Sequence, residues 1–326
     1  MAWLTDRLRE KQAPSKSAGP PATATPTTQP AQRLRFDAAV LTDVGIVRDH
    51  NEDTVLYVPP QENGATGNRA TLALVADGMG GHAAGEVASG IAADTIRRVF
   101  YEADGPPPKA LRSAFAAAND EILNWTKTHP ECAGMGTTCT ALALSETEAW
   151  LAHVGDSRAY LLRAGSLAQL SEDQTLVAQL VREGKLTEEE ARHSPVSNVI
   201  LQALGMGPDI EPVIWEKPLG LAPGDTLIVC TDGLTGLVSD PEIAEIAGRL
   251  APHEAGTALI AAANDAGGHD NISVGIIRAA AQAEQTSEPG NTTRRMALLE
   301  PVDEGSSSDR HTRRITLPSG DALRDG

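Results

Sequence analysis

Aromatic residues make up only 3% of this 326-residue chain, so its core has to be assembled from Ala, Val, Leu and Ile. Nothing in it reads as a platform for stacking nucleic-acid bases. Cysteine is scarce too. Cys132, Cys139 and Cys230 include no CxxC pair and are odd in number, which argues against a disulfide framework or a zinc site. Buried small apolar residues are the simpler reading. No window approaches the roughly 18 uninterrupted apolar residues that a membrane-spanning helix needs. The start, from Met1 to Gln12, mixes charges among few apolar positions, unlike a secretory leader. A soluble protein of a reducing, cytoplasmic compartment is expected.

Positive charge is the other shortfall. Lys and Arg number 27 against 44 Asp and Glu, a formal charge of −17. The first 35 residues carry +4 and the last 44 carry −2, leaving −19 on the segment between. So acidic a surface repels phosphate backbones, and nucleic acid is not expected as a partner. A phosphorylated ligand would need positive charge between itself and these carboxylates, which bound divalent cations can supply.

What is present is a 41% hydrophobic chain, enough for a sizeable core, flanked by ends too polar to fold alone. Residues 1–35, rich in Pro, Thr and Ala and net basic, and residues 283–326 are expected to be disordered tails around a domain at 36–282. Thr-Arg-Arg occurs at 293–295 and again at 312–314, a docking or phosphorylation site or a chance match in a biased segment. Within the domain, strand patterns fall at 36–47, 54–58, 70–75, 137–144, 149–154, 159–163, 167–170, 210–217, 226–230 and 272–278. Helical patterns fall at 86–103, 110–125, 174–184, 187–192, 241–249 and 252–265, with Thr187 and Glu190 spaced as a capping box. Strands in runs beside paired helices predict an α+β layered domain.

The informative residues are acidic and stand where these strands stop. Arg48-Asp49-His50-Asn51-Glu52-Asp53 follows the first strand, and Asp77-Gly78-Met79-Gly80-Gly81 the third. Gly155-Asp156-Ser157-Arg158 lies between two strands, Thr231-Asp232-Gly233 follows another, and His269-Asp270-Asn271 precedes the last. Each Asp-Gly alone is most simply a turn. Five such sites can converge on one edge of a sheet, where their mutual repulsion would call for a cation, and hard ions such as Mg²⁺ and Mn²⁺ prefer oxygen donors. Gly78 is expected to let the backbone turn so that its carbonyl faces such an ion.

Arg-x-x-x-Glu-Asp from Arg48, Asp-Gly-Met-Gly-Gly from Asp77, Gly-Thr-Thr from Gly136, Gly-Asp-Ser-Arg from Gly155, Thr-Asp-Gly-Leu from Thr231 and Asp-Asn at Asp270 occur in that order. Together they resemble the bacterial branch of the protein phosphatase 2C family, metal-dependent serine/threonine protein phosphatases, across residues 36–280. The resemblance implies two stacked antiparallel β-sheets flanked by helix pairs, with a small helical flap at about 171–205. It implies two Mn²⁺ or Mg²⁺ ions, with a third, weaker one. By position, Asp77 would bridge the pair, Asp232 and Asp270 would complete the first site, and the Gly78 carbonyl would bind the second. Glu52 would hold water on the second ion and Asp53 would orient it. Asp156 with Asp232 would hold the third ion, and Arg48 would bind phosphate. The implied reaction is hydrolysis of phosphoserine and phosphothreonine in proteins by a water or hydroxide bridging the two ions, without a phosphoenzyme. Substrates of a Ser/Thr kinase, a role in signal transduction and a monomeric state are expected with it.

The chain departs from the family pattern at several points. Met79 stands where some members carry a histidine general acid, leaving a bound water or His82 as proton source. The flap opens with Asp173-Gln174 where Asp-His is usual, and carries Ser194 and Ser197 where His and Arg are usual, with His193 one place early. These changes bear on substrate selectivity. Two other classes compete. A pseudophosphatase or phosphoprotein-binding scaffold would be signalled by loss of Asp77, Asp232 or Asp270, all present. A hydrolase of small phosphate esters or nucleotides lacks support from a G-x-x-x-x-G-K loop.

Overall fold

Strands Cys139–Leu144 and Thr226–Cys230 are buried at every residue, as continuous apolar strands must be when both faces are covered. They are central strands of two different sheets. A computed structural model describes residues 33–59, 70–81, 84–192, 194–282 and 312–313. His82, His193, the segment 1–12 and the Thr-Arg-Arg at 293–295 lie outside the described residues.

One sheet contains β1 (Leu34–Asp43), β7 (Arg158–Arg163), β8 (Ser166–Gln169), β11 (Thr226–Cys230) and β12 (Ile272–Ala281). With the two-residue β13 (Thr312–Arg313) against the end of β1, its order is β13-β1-β12-β11-β7-β8. The other contains β2 (Asp53–Val58), β3 (Thr71–Met79), β5 (Cys139–Leu144), β6 (Glu148–Val154) and β10 (Leu219–Gly220), in the order β10-β6-β5-β3-β2. Two short strands complete it: β4 (Gly136–Thr137) on β3 and β9 (Val213–Ile214) on β6. The pairings are antiparallel, as the turn-length gaps between strands implied.

Helices cover the outer faces. On the second sheet lie α1 (Ala84–Glu102) and α2 (Pro107–Thr128). Ala88, Ala92, Ile96 and Phe100 repeat every four residues on α1, while Ala110, Ala114, Ala118 and Ile122 do the same on α2. This is the spacing of one helix face, and its small residues let the two helices approach closely. Pro107 and Pro108 suit the first turn of α2, whose amides have no partner in the helix. Within the flap lie α3 (Leu176–Arg182) and α4 (Glu188–Arg192), and the one-turn α5 (Asp232–Thr235) follows β11. On the first sheet, α6 (Asp240–Arg249) and α7 (Pro252–Asp265) pack Ile243, Leu259 and Ile260 against Tyr160, Ile228 and Val274.

The capping box before α4 is present: the Glu190 amide donates to Thr187 Oγ1 at 3.2 Å and the Thr187 amide to Glu190 Oε2 at 2.8 Å. Three expectations need correction. The strand at 210–217 reduces to β9, because its ladder with β6 spans Val213–Ile214, with one further bond from the Trp215 amide to Leu151 O at 2.9 Å. The strand at 36–47 stops at Asp43, where the Gly45 amide turns back to Asp43 Oδ1 at 2.9 Å. Asp77-Gly78 is no turn. β3 runs on to Met79, pairing Asp77 with Asp53 and Gly78 with Thr137. The cysteines are free; Cys139 and Cys230 are buried and Cys132 is partly exposed.

Candidate metal centre

Asp53 and Asp77 face each other across β2 and β3, so pairing alone puts two carboxylates side by side. Asp232 enters from the first turn of α5, where Thr231 is the N-cap. Asp232 lies close enough to Asp77 to disfavour its ionisation, and Asp156 adds its charge from the β6–β7 turn. Asp270, just before β12, lies close enough to Asp232 and Asp53 to disfavour their ionisation. Five carboxylates distant in sequence thus meet at one end of the sandwich.

Their protonation shows how costly that gathering is. Burial pushes Asp53 up to about 7, more than the Ser273 and Thr231 hydroxyls offset, with Asp232 and Asp270 adding to the rise. Burial, then Asp232 and Asp173, pushes Asp156 up to about 7. Asp77 is held well above the usual carboxylate range by burial, then by Asp53 and Asp232. Burial raises Asp232 as well.

One oxygen of each of three groups, Asp53 Oδ1, Asp156 Oδ1 and Asp232 Oδ1, is buried without a hydrogen-bond partner. Among the described residues no three His, Cys, Asp or Glu side chains close around one point as a finished ligand set. The orphaned oxygens are nevertheless what a hard divalent cation would satisfy, and an all-oxygen donor set suits Mg²⁺ or Mn²⁺. The residues fit such ions.

A pH dependence follows. An unfolded Asp titrates near 3.9, so a folded pKa of about 7 means that the native state holds its proton more tightly and loses stability as pH rises from roughly 4 to 7. The metal-free protein is expected to melt at a higher temperature near pH ~5 than near pH ~8, and saturating Mn²⁺ to remove or invert the difference. Calorimetry showing a flat metal-free profile would exclude carboxylates pushed up by burial.

Arg48 stands at the rim, its Nη2 donating to Asp270 Oδ2 at 2.8 Å, with 47% of its side chain exposed. It is therefore in an ion pair, and its partner belongs to the acidic cluster. The Glu52 carboxyl lies against the start of α1: a Cβ on Gly85 would stand 2.8 Å from Glu52 Oε1. Gly78 is needed for a different reason than a turn. Its backbone is extended, and a Cβ there would sit 2.1 Å from Gly85 O and 2.5 Å from Glu52 O. Strand and helix approach backbone to backbone, and only glycine permits it.

Several contributors carried no sequence signal of their role. Thr231 Oγ1 donates to Asp53 Oδ2 at 2.9 Å, and Ser89 Oγ donates to Glu52 O at 2.7 Å. The flap is fastened beside Asp156. Arg158 grips Asp173 through Nε and Nη2, and the Gly155 amide donates to Gln174 Oε1 at 2.9 Å while the Gln174 amide returns a bond to Gly155 O at 2.8 Å. The glutamine departure thus leaves an acceptor at the flap root. Ser194 and Ser197 lie in one turn, the Ser197 amide donating to Ser194 O at 3.1 Å.

Comparison with known proteins gives a consistent neighbourhood. Residues 40–180 match the family model for protein phosphatase 2C. The chain is 36% identical over 242 residues to the serine/threonine phosphatase stp of Listeria monocytogenes, covering 72% of this chain and 93% of that protein. It is 38% identical over 242 residues to the serine/threonine protein phosphatase PstP of Mycobacterium tuberculosis, covering 74% of this chain and 44% of that longer protein. The structure is similar, with a TM-score of 0.66 and 36% identity, to the PstP catalytic domain in complex with two manganese ions, covering 76% of this chain and 99% of that one.

Proposed function

The chain belongs to the protein phosphatase 2C family, and on that premise we propose that it hydrolyses phosphoserine and phosphothreonine in proteins with divalent metal. The observation that carries the reading is the set of buried, mutually perturbing carboxylates with unpaired oxygens and a half-exposed arginine at their rim. A pseudophosphatase is not favoured, since Asp77, Asp232 and Asp270 are all in place.

Asp77, Asp232 and Asp270 would hold one ion, and Asp77 with the Gly78 carbonyl a second, on which Glu52 would hold a water. Asp156 with Asp232 would hold a third, weaker one. When bound, such ions acidify water and offset charge on the phosphoryl oxygens. The chain's own residues supply the rest. Arg48 can exchange Asp270 for phosphoryl oxygens and present two parallel N–H groups to them. Asp53, anchored at Oδ2 by Thr231, keeps Oδ1 free to orient water or hold a proton. Met79 has no proton to give, so the leaving oxygen takes its proton from water or from a group such as His82.

The activity resides in residues 36–282, acting in the cytoplasm as a monomer on substrates of a Ser/Thr kinase. Among the described residues no helix is long and apolar enough to cross a membrane. Phosphate release from a panel of phosphoserine and phosphothreonine peptides with Mn²⁺ or Mg²⁺ tests the reading; a panel that yields none refutes it. Arg48→Ala is expected to raise KM chiefly and lower kcat somewhat, cutting kcat/KM by about 10- to 100-fold, the worth of a charge-assisted pair of hydrogen bonds. An unchanged kcat/KM in steady-state assays would remove Arg48 from phosphate binding.

A further inference from the structure

We propose that Asn271 is a positioning residue which holds the segment carrying Arg48, Glu52 and Asp53 in register with Asp270; the inference rests on the phosphatase reading for its catalytic consequence. The segment from Val44 to Glu52 is a loop between β1 and β2; the Ile46 and Val47 amides fasten its start to Gly268 O, but the stretch carrying Arg48 and leading into Glu52 and Asp53 needs a further hold. The Asn271 side chain, buried with 4% of its surface exposed, ties it down at three points. Its Nδ2 donates to Val44 O and to His50 O, each at 2.9 Å, and its Oδ1 accepts from the Glu52 amide at 2.8 Å. Both amide protons and the carbonyl oxygen of the side chain are thereby used on one loop.

The backbone of the same residue reaches the opposite side of the site. Its amide donates to Asp270 Oδ1 at 2.9 Å, leaving Asp270 Oδ2 to accept from Arg48. Its carbonyl lies so near Gly233 that a Cβ there would stand 2.0 Å away, which sets the turn after Asp232 against it. A single asparagine therefore touches the loop of Arg48 and Glu52, the carboxylate of Asp270, and the turn beside Asp232. Aspartate has the same shape but no side-chain donors, and would turn a carboxylate oxygen toward the Val44 and His50 carbonyls.

Asn271→Asp is expected to lower kcat/KM for a phosphothreonine peptide by about 10- to 100-fold, the scale of two lost buried hydrogen bonds. Because part of the loss acts through Arg48, the double variant Asn271→Asp/Arg48→Ala should lose less than the product of the two single losses. Independent, multiplying losses would overturn the proposal. A second measurement needs neither a variant nor turnover. In the wild-type protein, hydrogen exchange read by NMR should show the Glu52 amide protected to the degree of amides within β2, although it precedes that strand. Exchange at the rate of an exposed loop amide would overturn the staple even if Asn271→Asp failed to fold. Absence of phosphatase activity together with a protected Glu52 amide would instead count against the function and leave the staple standing.

Discussion

Replacing Asp77 by Asn is expected to lower kcat/KM for a phosphothreonine peptide by about a thousandfold or more and, in the same protein, to raise the melting temperature of the metal-free form. The first effect follows from position. Asp77 lies beside Asp53, Asp156 and Asp232, and it is the residue through which two ions would be held together. Losing roughly 4 kcal/mol of charge stabilisation from the transition state is a factor of about 10³ in rate. The second effect has the opposite sign because burial, and then repulsion from Asp53 and Asp232, penalises the ionised Asp77 when no cation balances it. Asn keeps the shape and removes one charge, so the remaining groups ionise more easily. A gain of about 1 kcal/mol would appear as a rise of roughly 2–4 °C in a domain of this size. Asp232→Asn should behave alike. Full turnover by either variant would refute the mechanism, and a lower metal-free melting temperature would show that the cluster is not under electrostatic strain.

Chelation should be as severe as either substitution. Excess chelator is expected to bring turnover to background, with Mn²⁺ or Mg²⁺ restoring it, since among the described residues neither the buried cysteines nor His153 is set up as a nucleophile with its base at the acidic site. The Cys139 and Cys230 thiols are buried, and Cys230 is pushed up to about 12 by burial, far from a reactive thiolate. His153, also buried, is pushed down by burial and sits between Thr140 Oγ1 and Glu172 O, occupied in structure. Undiminished phosphate release in chelator, after the protein has been stripped and its metal content measured, would overturn a metal-dependent reaction altogether.

The layered fold was legible because its elements announce themselves locally. Two alanine-rich helices with four-residue spacing, and apolar strands a few residues apart, admit few arrangements. Boundaries were less so. The end of β3 is hidden from sequence because Asp-Gly normally signals a turn, whereas here Gly78 serves the close approach of Gly85 and the Glu52 carbonyl. The stretch 210–217 has the composition of a strand but forms a ladder at β9 alone, and pairing is a tertiary property that no window reports. Within the site, the acidic residues could be picked out by their recurrence at strand ends. Their supports could not. Thr231, Ser89 and the side chain of Asn271 are ordinary polar residues whose task is defined by what the chain brings to them from 37 or more positions away, in the case of Asn271 from a loop 219 residues earlier. The flap root shows the same limit, since Gln174 reads as a missing histidine until its bond to Gly155 is seen.

The close approach of β3 to the start of α1 has a bearing on how the outer layer communicates with the acidic edge. Most helices rest on a sheet through side chains, which can rearrange and absorb a displacement. Here Gly78 and Gly85 meet main chain to main chain, with the Glu52 carbonyl and carboxyl wedged beside them. No soft material separates helix from strand at that point. A substitution on the buried face of α1, at Ala88 or Ala92, would thus be transmitted to the acidic edge as a rigid shift, and would be felt in catalysis as well as in folding.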